Sequence, residues 1–205
     1  MRFLEFNRAF RAFTVFSLRD IRSLDPNFHR RRLNEWQEKG YIRKVIKGFY
    51  IFGDVSLNES VLFEIANRIY APSYVSLDTA LSYYNLIPEA VFGVTSVSTR
   101  RTNKFSTPIA GFSYRSLKTS LFFGYDLVEI GGHRFRIACI EKAVIDFLYL
   151  NPQIDKERDF EYIRLNADIF HEKVSVERLV DSLDRIKSKI LETRARALLE
   201  FVRNA

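Results

Sequence analysis

The sequence predicts an α+β fold on three observations. Apolar residues recur at helical spacing between residues 3 and 39, and the run YIRKVIKGFYIF then switches to a short-strand pattern. A second helix-to-strand switch follows, and the chain returns to helical periodicity after IACI. The charge is divided: residues 1–54 carry 12 Lys or Arg against 6 Asp or Glu, whereas residues 55–205 carry 20 against 19, within a total of +7. A basic amino-terminal domain over residues 1–54 and a nearly neutral mixed α+β domain over residues 55–205, ending in a helical carboxy-terminal tail, are expected.

Phe3, Phe6 and Phe10 lie three or four apart, with Arg8 and Arg11 between them, so residues 3–12 read as an amphipathic helix. Ser17-Leu18-Arg19-Asp20 has the form of a capped helix start, and Leu18, Ile21 and Leu24 continue it to residue 24. Asp25 as a cap and Pro26 at a first helical position open a third helix, which Gly40 ends after Lys39. Two β-prone runs then flank a turn at Lys47-Gly48. Three helices and a basic hairpin, in that order, predict a winged helix-turn-helix whose third helix enters a DNA major groove.

The faces of the third helix follow from about 3.6 residues per turn. Phe28, His29, Leu33 and Trp36 form the core stripe, with His29 a packed core-edge residue. Asn27, Arg30, Arg31, Asn34 and Glu38 form the opposite face. Arg32 falls within the apolar stripe, where its methylenes run along the core edge toward a carboxylate or phosphate. Arginine pairs bidentately with guanine and asparagine with adenine, making Asn27, Arg30, Arg31 and Asn34 the base-edge candidates. Lys39, Arg43, Lys44 and Lys47 are the phosphate candidates, which fix register without reading sequence.

In the second domain a helix is expected over residues 58–70 and another from Ser76 to before Pro88. VFGVTSVSTR, FSYRSL and LFFGYDLVEIGGHRFRIACI read as a β-meander with a hairpin turn at Gly131-Gly132. IEKAVIDFLYL is helical, and a long helical stretch from Val176 to Val202 presents Leu179, Leu183, Ile186, Ile190 and Leu198 as apolar positions.

GYIRKVIKGFYIF, EIANRIYAPSYVSLDTALSYYNLIPE, VTSVSTRRTNKFSTPIAGFSYRSLKTSLFFGY and IACIEKAVIDFLYL, in that order, resemble the AbiEi family of bacterial antitoxins and transcriptional regulators. These are the antitoxin half of type IV, abortive-infection toxin–antitoxin systems. The likeness covers about residues 14 to 150 and leaves the tail after Asn151 unassigned. It implies a winged helix that binds inverted repeats in double-stranded DNA at its own promoter, with two copies on the operator from a chain that can be monomeric in solution. It also implies a second domain that counteracts a cognate nucleotidyltransferase-like toxin. Carried over to this sequence, DNA contact falls on Arg30, Arg31 and Asn34 and on the hairpin around Lys44 and Lys47. Some relatives also use basic residues of the second domain, for which Arg100, Arg101 and Lys104 are the local candidates; otherwise these three form a solvated hairpin rim.

Other classes have weaker support. One cysteine, Cys139, excludes a disulfide framework and fits a reducing cytoplasm. His29, His133 and His171 lack metal-ligand spacing, so neither a metal nor a cofactor is expected. No apolar run reaches the length of a signal peptide core or a membrane span, which predicts a cytoplasmic protein without membrane contact. Glu141, Lys142 and Asp146 invite a nuclease reading, but no second acidic motif completes a two-metal site. Cys139, in an apolar run, reads as a small buried hydrophobe, with no base to activate it. Phe112, Tyr114, Phe122, Phe123 and Tyr125 could stack on RNA bases or meet a partner protein if exposed; as core residues they could not. A non-enzymatic DNA-binding protein is the expected function.

Overall fold

A computed structural model describes residues 1–88 and 93–205 and shows a mixed α+β architecture. Helix α1, Phe3–Phe10, turns Phe6 and Phe10 into the core. Strand β1, Phe16–Ser17, leads into α2, Leu18–Leu24, whose start is the expected capping box: the Asp20 N–H donates to the Ser17 hydroxyl and the Asp20 carboxylate accepts from Ser17. Helix α3, Arg31–Glu38, is followed by the hairpin of β2, Ile42–Ile46, and β3, Phe49–Phe52. These strands form an antiparallel sheet in the order β1-β3-β2.

Both faces of this small sheet are covered, so three successive residues of β3 are buried. Tyr50 and Phe52 face α1 to α3, in a cluster with Phe6, Phe16, Ile21, Leu33 and Trp36. Ile51 faces the other way and, with Val15 and Val45, joins the larger core of the second half. Strand alternation turns Val45 inward while Lys44 stays exposed, and a register irregularity follows before Ile46. The amino-terminal sheet is thus a layer shared between the two halves.

Helix α4, Glu59–Ile69, is capped by Asn58, and β4, Ser73–Val75, precedes α5, Leu77–Tyr83. Strands β5, Val94–Ser98, β6, Asn103–Ser106, β7, Gly111–Ser116, β8, Tyr125–Ile130, and β9, His133–Ala138, complete a six-stranded sheet. Its order, β6-β7-β5-β4-β9-β8, corrects the expected meander: β4 lies between β5 and β9, and the β5/β7 and β4/β9 pairs are parallel. The strand that reorders the sheet is three residues long, too short to show a period. Val91 and Phe92, the start of the first predicted strand segment, lie outside the described residues. The Gly131-Gly132 turn is present, with both glycines at positive φ.

Helix α6, Ile140–Leu150, crosses the interior and is held at both ends by the tail. At its start the Glu141 carboxylate accepts the Ser175 N–H (3.0 Å) and pairs with Arg178 (2.8 Å). At its end Arg194 donates to the carbonyls of Leu148 and Asn151, acceptors that a helix terminus leaves open, and to that of Ile154 beyond it. The tail comprises α7, Glu157–Tyr162, α8, Ala167–Lys173, α9, Val176–Ile186, and α10, Lys189–Asn204. The predicted continuous stretch is two helices, broken where Lys187 takes a left-handed conformation and Ser188 caps α10. That break resets the helical phase, leaving Ile190 77% exposed rather than in the core. Among the described residues no helix is long and apolar enough to cross a membrane.

Polar contacts reinforce the junction between the halves. Thr14 donates to Glu64, and His133 Nδ1 lies 2.8 Å from Thr14 Oγ1 and 3.0 Å from Glu64 Oε2. Arg68 of α4 reaches the α2 cap residue Asp20 at 2.7 Å. Burial pushes the Asp20 carboxyl upward, but its bonds from Ser17 and Arg68 outweigh this and hold it below its ordinary value. A depressed folded-state pKa stabilises the protein above the unfolded-state pKa, and this is lost as pH falls through the folded value. Lowering the pH below about 4 should therefore lower the thermal midpoint, with a smaller loss over that interval in Asp20→Asn; equal acid sensitivity of the variant would refute the assignment.

Candidate nucleic-acid interface

The chain before α3 departs from the predicted helix. Pro26 and Asn27 form a turn in which the Phe28 N–H donates to the Asp25 carbonyl (2.9 Å). The Asp25 side chain caps no helix; it accepts from the Met1 ammonium at 2.8 Å, which, with a bond from the Asn27 N–H, holds the carboxyl below its ordinary range. Helix α3 begins at Arg31 with Arg30 at the cap position, and no side chain caps it. The helix is therefore shorter than expected: Phe28 is buried and Asn27 and Arg30 are exposed as the angles placed them, but Asn27 lies in the turn and His29 is exposed rather than at the core edge.

From Arg31 onward the angles hold. Leu33 and Trp36 are buried, whereas Arg31, Asn34, Glu35 and Glu38 are exposed. The Arg31 side chain is 84% exposed, with only a loose 3.8 Å contact to Glu35, an ion pair of little energetic weight. Arg32 is half-buried and its guanidinium donates to the Met1 carbonyl, tying α3 to the start of α1. Its hydrogen-bond partner is thus a backbone carbonyl, while its charge also acts on the nearby Asp25 carboxylate. Helix α3 ends as predicted: Gly40 sits at φ +70° and the Tyr41 N–H donates to the Trp36 carbonyl (2.9 Å). Lys39, next to that turn, is exposed.

The hairpin packs beside α3 and divides its cations. Lys44 is exposed on β2, and Lys47 is exposed at the turn before Gly48. Arg43 is a correction to the phosphate set: its Nη2 donates to the Val55 carbonyl at 2.6 Å, and its Nε is buried without an acceptor. That side chain ties the hairpin to the segment leading into α4. Two exposed cations of α2, Arg19 and Arg22, were not singled out by the sequence reading. Their signal was the spacing of three opposite Ile21, which puts both on the outer side of α2.

The second-half candidates gather around the end of α4. Arg100 stacks over the Tyr70 ring, its guanidinium carbon 4.1 Å from the centroid, and the Arg101 carbonyl accepts the Tyr70 hydroxyl at 2.8 Å. Arg101 and Lys104 have exposed side chains, and Lys104 lies on β6 at the sheet edge. Arg100 is therefore partly committed to packing, whereas Arg101 and Lys104 face solvent.

The residues that suggested other chemistry sit in the interior. Lys142 and Asp146 form an ion pair with both side chains 1% exposed, and Asp146 also accepts from Tyr74 and Ser76, each at 2.9 Å. Burial pushes the Asp146 carboxyl up and the Lys142 ammonium down, while their mutual attraction opposes both shifts. Cys139 is partly buried at the start of α6, and burial raises its thiol, which keeps it protonated and a poor nucleophile. Phe112 and Tyr114 are fully buried, which removes them as base-stacking platforms; Phe122 and Tyr125 pack against Tyr74. No protein-family model matches the chain, and no curated protein matches it.

Proposed function

We propose that this chain is a DNA-binding antitoxin of the AbiEi type, which represses its own operon by reading inverted repeats in double-stranded DNA. In this reading residues 1–54 are a winged helix, and α3 is the reading helix. The order α1, β1, α2, α3, β2, β3 supports it, because it is the element order of that architecture. The observation that carries the proposal is the division of α3: Leu33 and Trp36 seal one side, while Arg30, Arg31, Asn34 and Lys39 are exposed beside a hairpin carrying Lys44 and Lys47. Donors for base edges and cations for phosphates are presented by adjoining elements.

The second half is assigned to counteracting a nucleotidyltransferase-like toxin in the cytoplasm, on the motif resemblance. The interior bonds of Glu141, Lys142 and Asp146 favour a binding protein over a nuclease, because no substrate reaches a sealed carboxylate.

A reporter driven by the chain's own upstream region tests the proposal. Expression of the protein should repress the reporter, and Arg31→Ala with Asn34→Ala should relieve repression at unchanged protein level. An unrepressed reporter in the presence of folded wild-type protein would reject the repressor reading.

A further inference from the structure

A second surface, independent of the α3 face, is built at the junction of the two halves. A depression of about 340 Å³ is walled by Phe13 and Val15, by α4 through Glu64, Asn67 and Arg68, and by the β8–β9 hairpin. Two large apolar side chains stand exposed on it, Phe13 at 52% and Leu127 at 68%. Leu127 pairs directly across the strands with Arg136, so the two project from the same face of the hairpin.

The polar groups here are mostly donors. Arg68 is paired with Asp20 and Arg134 with Glu129, whereas Arg136 is exposed and its side chain has no hydrogen-bond or ion-pair partner among the described residues. Asn67 accepts the Arg136 N–H through Oδ1, and its Nδ2 is buried without an acceptor. Glu64, the one carboxylate in the wall, is already engaged by Thr14 and lies against His133. The exposed, unpaired Arg136 guanidinium calls for an acceptor, and the exposed apolar pair calls for a hydrophobic group.

We propose that this depression binds an acidic segment of a partner protein. A carboxylate is taken by Arg136 and neighbouring donors, and an apolar side chain of the segment lies between Phe13 and Leu127. A nucleic-acid backbone would supply the anion, but it would leave Phe13 and Leu127 uncovered. A second copy packed on the same face would supply no free carboxylate for Arg136, because Asp20, Glu64 and Glu129 are already engaged. The acidic and apolar segment satisfies both sets of groups.

The test uses the full chain and two fluorescein-labelled peptides, acetyl-Glu-Leu-Glu-Phe-Glu-Leu amide and its counterpart with glutamine for glutamate, followed by anisotropy. The acidic peptide should bind saturably and at least about tenfold more tightly than the neutral one. Arg136→Glu and Leu127→Lys should each weaken it about tenfold or more. Both side chains are exposed, so both variants should fold, with unchanged circular dichroism and melting. Equal binding of the two peptides, no saturable binding, or variants that bind like wild type would each overturn the proposal. So would a loss of duplex DNA affinity in Arg136→Glu without peptide binding, or a dimer that Leu127→Lys converts to monomer.

Discussion

Replacing Asp146 by alanine should destabilise the protein by about 3–5 kcal/mol, the largest single-site effect expected here. The Lys142 ammonium would be left inside the second half, with the Tyr74 hydroxyl (2.9 Å) as its remaining close polar partner and aromatic rings around it. Tyr74 and Ser76 would each lose their carboxylate acceptor as well. The penalty comes from stranding a charge rather than from losing an attraction. Lys142→Met combined with Asp146→Leu should therefore recover much of the loss. Urea unfolding monitored by circular dichroism measures both values. A double variant as unstable as Asp146→Ala would show that the site depends on the bonds to Tyr74 and Ser76 and not on the pair.

That pair also shows where sequence reading ran out. IEKAVIDFLYL was legible as a helix, but the spacing of four between Lys142 and Asp146 is usually a solvated surface pair. The sheet, α5, α9 and α10 closing around α6 make it an interior one. The same limit hid β4, whose identity comes from its neighbours β5 and β9 rather than from its own three residues. Features with local causes were legible: the Ser17–Asp20 capping box, the Gly40 stop, the turn at Lys47-Gly48 and the Gly131-Gly132 hairpin. On the candidate interface, periodicity placed Arg31, Leu33, Asn34 and Trp36 correctly because those residues are helical. It failed at His29, and in placing Asn27 on a helix, because Pro26 and Asn27 form a turn closed by the Phe28 N–H on the Asp25 carbonyl. Arg43 could not be told from Lys44 by composition. Its Val55 partner lies beyond the hairpin, on the segment leading into α4.

The second large effect concerns DNA. Arg31→Ala should cost about 1–3 kcal/mol on a specific operator and relax preference at one position, because its loosely held guanidinium is free to pair with a base edge. Lys44→Ala and Lys47→Ala should instead weaken binding to all sequences and lower the salt slope by about one unit each. Arg43→Ala should leave that slope unchanged, since its guanidinium is engaged within the fold. Arg32→Ala should reduce thermal stability, through loss of its bond to the Met1 carbonyl, more than it reduces sequence preference.

The direct measurement is an anisotropy titration of the full chain, with wild type, Arg31→Ala and Arg32→Ala, on a duplex of its own upstream region and on a shuffled duplex at several salt concentrations. The account predicts wild-type binding that weakens linearly in log–log form with salt, a preference for the upstream duplex, and loss of that preference in Arg31→Ala. Absence of binding even at low salt, or an Arg31→Ala protein that binds like wild type while Arg32→Ala does not, would contradict it.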